Sequence, residues 1–224
     1  KTVRPDCVDI PNAVDTEFFS PRESGFREKN GIGHEAFVIL YVARMVDFKG
    51  HLMLLDAFSE FLRHTPSSKL VLAGSGPMEP VLRKRVRALG LDDHVLFLGQ
   101  QAYEDLPGVY AAADVKVISS DERESFCFAA LEAMSMGLPL VATRCGMLPI
   151  LLEGERGGLL VPVGDARAFA GALLKLAEDK KIRDQMGLYN RAKAVREHGW
   201  DSSATKLLMV YRDLAARKIQ GQQK

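Results

Sequence analysis

The chain has 224 residues, 47% hydrophobic and 26% charged, with 30 Lys and Arg set against 29 Asp and Glu for a net charge of +1. That balance suits one globular domain with a sizeable core, or such a domain with a tail. It removes any compositional case for binding nucleic acid or an anionic membrane. Residues 37–43 (FVILYVA) then form a continuous apolar run, the pattern of a strand buried on both faces. Similar short runs recur at 70–73, 95–98, 115–118, 140–142 and 159–161. Helical stretches at 51–63, 78–89, 106–113, 126–136 and 166–178 alternate with them, and two more follow at 181–197 and 203–218. In the first, Leu54, Leu55, Phe58, Phe61 and Leu62 fall on one side at i, i+3 and i+4 spacing. This alternation predicts an α/β fold with a doubly wound parallel sheet of about six strands, and such sheets bind ligands outside the carboxyl ends of their strands. Residues 221–224 read as a frayed end.

Several familiar motifs are missing. Cys7, Cys127 and Cys145 form no C-x-x-C pair, so neither a zinc site nor a disulfide framework is indicated and a reducing compartment, the cytoplasm, is expected. The segment from Gly74 begins like G-x-G-x-x-G but ends in Glu79, against a standard dinucleotide fingerprint. No phosphate loop and no D-x-D occurs, and the five histidines show no ligand spacing, so no metal is expected. Arg83, Lys84, Arg85 and Arg87 read as the solvated face of a helix. No apolar run reaches the length of a membrane span, and the N-terminus lacks a signal-peptide apolar region. It also opens on Lys1 rather than Met, so a preceding segment is expected.

Three segments carry chemistry. Arg44 and Lys49 stand where the first strand gives way to a helix. Helix N-termini offer free N–H groups and partial positive charge, and two cations there suit a diphosphate. The same residues taken alone equally describe two surface cations. Glu124 and Glu132 bracket the segment 124–132. If helical throughout, it sets the carboxylates roughly 12 Å apart, wider than the ~5–9.5 Å of glycosidase pairs. That spacing suits two carboxylates gripping hydroxyls at opposite ends of one long ligand. The alternatives are a first-turn glutamate favoured by the helix dipole and an exposed polar position. Gly74 and Gly76, at the end of the second strand, allow close approach of a ligand to the backbone, and Pro77 suits the first turn of the next helix. A plain strand-to-helix turn explains them equally.

In order, these pieces resemble glycosyltransferase family four, the group 1 retaining enzymes of GT-B fold, from Ile10 to about Leu214. Ile10-Pro-Asn12 through Asp15 is similar to I-P-N-G-V-D, Ala43 to Gly50 to G-R-x-x-x-x-K-G, and Gly74 to Pro77 to G-x-G-P. Val95 to Gly99 is similar to V-x-F-x-G, Tyr110 to Asp114 to Y-x-x-A-D, and Glu124 to Glu132 to E-x7-E. Residues 133–139 and 158–162 resemble E-A-M-A-x-G-x-P and G-L-L-V-P.

The resemblance implies a Rossmann-like, C-terminal, nucleotide-sugar-binding half. It implies that Arg44 and Lys49 hold the donor diphosphate, that Glu124 contacts the donor sugar, and that Glu132 binds the ribose hydroxyls. The backbone of Phe97 to Gly99 would contact the base, with Gly74, Gly76, Ser125 and Phe126 completing the donor site. No metal or other cofactor is implied, since cations and helix dipoles neutralise the leaving group. It further implies a lead-in segment at 1–20, a donor domain at 21–200, and a C-terminal helix and tail at 201–224 returning to an absent N-terminal domain. That domain would supply the glycan or lipid acceptor site and leaves room for peripheral contact with a membrane. The segment 201–224 carries an apolar stripe of Leu207, Leu208, Tyr211 and Leu214, for which packing on this domain or on the absent one is equally open.

Cys127 stands where the signature usually has Gly, and Met147 and Ile150 lie where G-G-x-P-E is usual, which leaves the donor sugar open. Two rivals remain: a nucleotide-binding module without catalysis, and a relative that epimerises nucleotide sugars.

Overall fold

The computed structural model describes residues 7–221; of the frayed end expected at 221–224, Gly221 is helical and 222–224 lie outside the described residues, as do the first six residues of the lead-in segment. In chain order the elements are α1 (Phe26–Lys29), β1 (Val38–Val42), α2 (His51–Leu62), β2 (Lys69–Ala73), α3 (Glu79–Ala88), β3 (Val95–Gly99), α4 (Leu106–Ala111) and β4 (Val115–Ile118). Then follow α5 (Phe128–Ser135), β5 (Leu140–Thr143), α6 (Leu148–Leu151), β6 (Gly158–Val161), α7 (Ala166–Glu178), α8 (Lys180–His198) and α9 (Trp200–Gly221). The six strands form one sheet in the order β3-β2-β1-β4-β5-β6, and every pairing is parallel. Apart from Lys116 in β4, the strand interiors are apolar because both faces of the sheet are covered. Alternate residues divide between two cores: Ile39, Tyr41, Leu70 and Leu72 pack with α2, α3 and α7, while Val38, Leu40, Leu140 and Ala142 pack with α4, α5 and α6.

The chain leaves β1 toward β2 on one side and later returns to β4 on the other, so the order reverses between β1 and β4. Ligands in such sheets bind beyond the carboxyl ends of the strands at that point. Here the two loops concerned are 43–50 and 119–127.

Two local expectations change. The helix of the signature begins at Phe128, with Cys127 as its N-cap at φ −103° and ψ 98°. Glu124, Ser125 and Phe126 therefore lie in the preceding loop, and the helical spacing between Glu124 and Glu132 does not hold. Pro77 sits ahead of α3, whose first turn holds Pro80 instead, the position where a missing N–H costs nothing. On α9, Leu207, Leu208, Tyr211 and Leu214 remain 37–59% exposed, so the stripe finds no cover among the described residues. The lead-in segment is tied to the α8–α9 junction: Val14 N–H donates to the His198 carbonyl at 2.8 Å and Ser203 Oγ to the Pro11 carbonyl at 2.9 Å.

Candidate active site

The loops from β1 and β4 are laced together. A short 3-10 turn, Asp47–Lys49, precedes Gly50, and Gly50 opens α2. The Lys49 carbonyl accepts from Tyr41 Oη at 2.6 Å and from Ser119 Oγ at 2.9 Å. Asp121 N–H donates to the Phe48 carbonyl at 2.9 Å. This fixes the Lys49 backbone and sends its side chain to Glu124, with Nζ and Oε2 2.5 Å apart. Ser120 Oγ donates to the same oxygen at 2.9 Å. The Lys49 and Glu124 side chains are only 16% and 7% exposed. The cation expected at the diphosphate and the carboxylate expected at the sugar are thus each other's partners.

Arg44 is exposed on the loop just beyond β1 and makes no ion pair among the described residues. That loop is bracketed by the turn after β2: Met45 N–H donates to the Ser75 carbonyl at 2.9 Å, and Met78 N–H to the Met45 carbonyl at 3.0 Å. A Cβ on Gly74 would lie 2.0 Å from the Ala43 carbonyl oxygen, and one on Gly76 2.5 Å from that of Met45. The close approach read from these glycines is made by the protein's own backbone. Gly74 N–H also donates to the Gly99 carbonyl at 2.8 Å. The Phe97 ring lies under the Arg83 guanidinium, 4.2 Å from centroid to Cζ, a cation–π contact.

Glu132, one turn into α5, receives the Tyr110 hydroxyl at 2.6 Å. Burial raises its carboxyl above the usual range, opposed by that hydrogen bond and by the Lys116 ammonium. Lys116, in β4, is fully buried. Burial pushes its pKa down to about 8, within electrostatic reach of Cys127, Glu132, Lys49 and Glu124. Ser125 is exposed, and its carbonyl accepts from Met147 N–H at 3.2 Å. Phe126 packs edge-on against Phe128 at 5.0 Å and joins Met147, Ile150, Lys193 and His198 around a cavity of about 720 Å³. Burial raises the Cys127 thiol, which removes it as a ready nucleophile. Among the described residues no group of three or more His, Cys, Asp or Glu side chains could hold a metal, and no helix is long and apolar enough to cross a membrane.

Sequence reasoning passed over Tyr110, Lys116, Ser120 and His51 as site residues. Lys116 left a signal, a lone charge inside the run VKVI. His51 left none. It is 4% exposed, its Nδ1 has no partner, and its ring lies 4.7 Å from that of Tyr41. Burial, reinforced by Lys116 and Lys49, holds its pKa down to about 4. The folded state thus favours the neutral imidazole, and the unfolded chain takes up the proton first. Stability should be complete above pH 6.5 and fall by on the order of 3 kcal/mol as pH drops to about 4. Urea unfolding at stepped pH checks this against His51→Leu, which should lose correspondingly less; equal losses would remove His51 as the cause.

A parallel sheet reversing between β1 and β4, with its polar loops gathered at that point, is a Rossmann-like fold of the kind found in GT-B glycosyltransferases. Residues 23–193 match the family model for glycosyl transferases group 1, and the chain belongs to that family. It is 36% identical to the D-inositol 3-phosphate glycosyltransferase of Corynebacterium jeikeium, over 92% of this chain and 51% of that protein. Sucrose-phosphate synthase from Thermosynechococcus elongatus superposes with a TM-score of 0.83 at 30% identity, over 93% of this chain and 52% of that one. HepE of Anabaena, solved with UDP, superposes at 0.82 and 25% identity, over 92% and 57%. The same protein has also been solved with UDP-glucose. The chain spans about half the length of these relatives.

Proposed function

We propose that this chain is the donor half of a retaining glycosyltransferase, binding a nucleoside diphosphate sugar whose glycosyl group passes to a glycan or lipid acceptor. The Lys49–Glu124 pair at the switch point carries the reading. It sets a cation beside the α2 N-terminus, which has no side-chain cap and so keeps N–H groups free for phosphate oxygens. Arg44 and Lys49 meet the diphosphate, Glu132 the ribose hydroxyls and Glu124 the sugar; charge on the departing diphosphate is neutralised without a metal. The complexes of HepE with UDP and UDP-glucose support a nucleotide-sugar donor. The corynebacterial relative's name makes D-inositol 3-phosphate an acceptor to test beside glycans and lipids. We place the enzyme in the cytoplasm, with room for peripheral membrane contact.

Calorimetry with UDP, GDP and ADP, each beside its nucleoside, tests the reading. At least one diphosphate should bind below millimolar concentration, its nucleoside far more weakly, and EDTA should change neither. The 224 residues alone should bind donor without transferring sugar. Failure of all three diphosphates at millimolar concentration overturns the site, and transfer by this chain alone overturns the division into halves.

A further inference from the structure

We infer that Tyr110 is a positioning residue that holds the Glu132 carboxylate in the orientation that receives the donor's ribose hydroxyls. The inference rests on the role proposed for Glu132. Tyr110, on α4, is fully buried and wedged edge-on against Phe19, with centroids 5.9 Å apart at 86°. A phenol has few rotatable bonds, so this packing fixes where its hydroxyl points. A buried hydroxyl without a partner is costly; this one donates to Glu132 Oε2 at 2.6 Å and lies 3.4 Å from the Ala129 carbonyl.

Glu132 forms no ion pair among the described residues, so the phenol takes the place a cation usually holds. Its other oxygen, Oε1, accepts no hydrogen bond there and is not sealed among the enclosed, unpartnered polar atoms. One carboxylate oxygen is tethered and the other is open, which suits a ligand with paired hydroxyls. Had a lysine or arginine filled this position, it would have competed with the ligand for both oxygens.

Three titratable groups face Glu132: Tyr110 from α4, Lys116 from β4 and Tyr103 from the turn before α4. Burial raises the carboxyl while the Tyr110 bond opposes that rise. Removing the hydroxyl lets the carboxyl rise further. Ribose binding should weaken as pH falls through the Glu132 titration, and this acid limb should move to higher pH without Tyr110.

The test uses whichever of UDP, GDP and ADP binds tightest, with its 2′,3′-dideoxy analogue, by calorimetry from pH 5 to 8. In Tyr110→Phe the ribonucleotide should lose about three- to tenfold in affinity and the dideoxy analogue almost nothing. The acid limb should move up, and Tyr110→Phe added to Glu132→Gln should cost no more than Glu132→Gln alone. Equal losses for both ligands, or an unmoved limb, overturn the inference. If Glu132→Gln weakens the ribonucleotide while Tyr110→Phe changes nothing, the inference falls and the donor reading stands. If no diphosphate binds the wild type, both fall. Thermal unfolding checks that the variant folds. Should it not, the wild-type Tyr110 hydroxyl proton carries the test. It should appear as a slowly exchanging NMR signal that moves with the ribonucleotide but not with the dideoxy analogue, and its absence is equally decisive against the inference.

Discussion

Lys49→Ala should cost about 3–5 kcal/mol of folding stability together with nucleoside diphosphate binding, because it strands a buried charge. Glu124 is 7% exposed at its side chain and has Lys49 as its cation. Without it the carboxylate keeps only the Ser120 hydroxyl, and must protonate or admit water. The chain holds its own control. Arg85 and Asp56 also pair, at 2.6 Å, but with side chains 42% and 41% exposed. Solvent screens such a pair to within about 1 kcal/mol, so Arg85→Ala should be nearly silent. Adding Glu124→Ala to Lys49→Ala should recover part of the stability by removing the stranded charge, while leaving binding lost. Urea unfolding and calorimetry on the four chains separate these effects. Equal midpoints for Lys49→Ala and Arg85→Ala would show that the buried pair contributes no more than a surface one. The coupling also means that Glu124→Ala should not spare diphosphate affinity, since it frees Lys49 from the geometry that aims it.

The six strands were legible because burial on both faces demands short, largely apolar runs, and such runs recur along the chain from 37–43 to 159–161 with only Lys116 as a charge inside one. Strand–helix alternation implied binding beyond the carboxyl ends of the strands, but the strand order that places the reversal between β1 and β4 is visible only in the sheet itself. Residues 126 and 127 were read as the start of a helix, and the carboxylate spacing supposed one from 124, because the segment contains no breaker. The loop conformation of 124–127 is held by partners distant in sequence, Lys49 on Glu124 and Met147 on the Ser125 carbonyl, with the nearby Ser120 hydroxyl on the same carboxylate. Tertiary contact overrides local propensity there. Tyr110 and Glu132 are 22 residues apart, and no periodicity joins them; only the packing of α4 on Phe19 brings the hydroxyl to the carboxylate. Pro77 was assigned to the first helical turn that Pro80 occupies, because either proline satisfies the local rule.

Gly50→Ala should cost about 2–5 kcal/mol, a large share of the ~5–15 kcal/mol that keeps a domain folded. Two effects combine. Gly50 has φ +67°, where an L side chain pays about 1–2 kcal/mol. A Cβ there would also lie 1.9 Å from the Ser119 carbonyl oxygen. That neighbour is backbone at the end of β4 and cannot swing aside, so the α2 start or the 119–120 segment must move, an overpacking cost of typically about 1–3 kcal/mol. Gly90 separates the two effects. It has the same φ of +67°, but its added Cβ meets nothing within 4 Å. Gly90→Ala should therefore show the conformational part alone. The difference between the two variants in urea unfolding measures the close approach. A difference near zero would mean that the loops part freely. The functional consequence is as direct. Gly50 is what lets the α2 N-terminus sit against Ser119, and the Lys49 carbonyl accepts the Ser119 hydroxyl at 2.9 Å. Pushing the two apart withdraws Lys49 from Glu124, so Gly50→Ala should weaken nucleoside diphosphate binding at least tenfold while Gly90→Ala leaves it unchanged. Calorimetry on folded protein at low temperature reads that contrast; wild-type affinity in Gly50→Ala would uncouple the packing of this turn from the site.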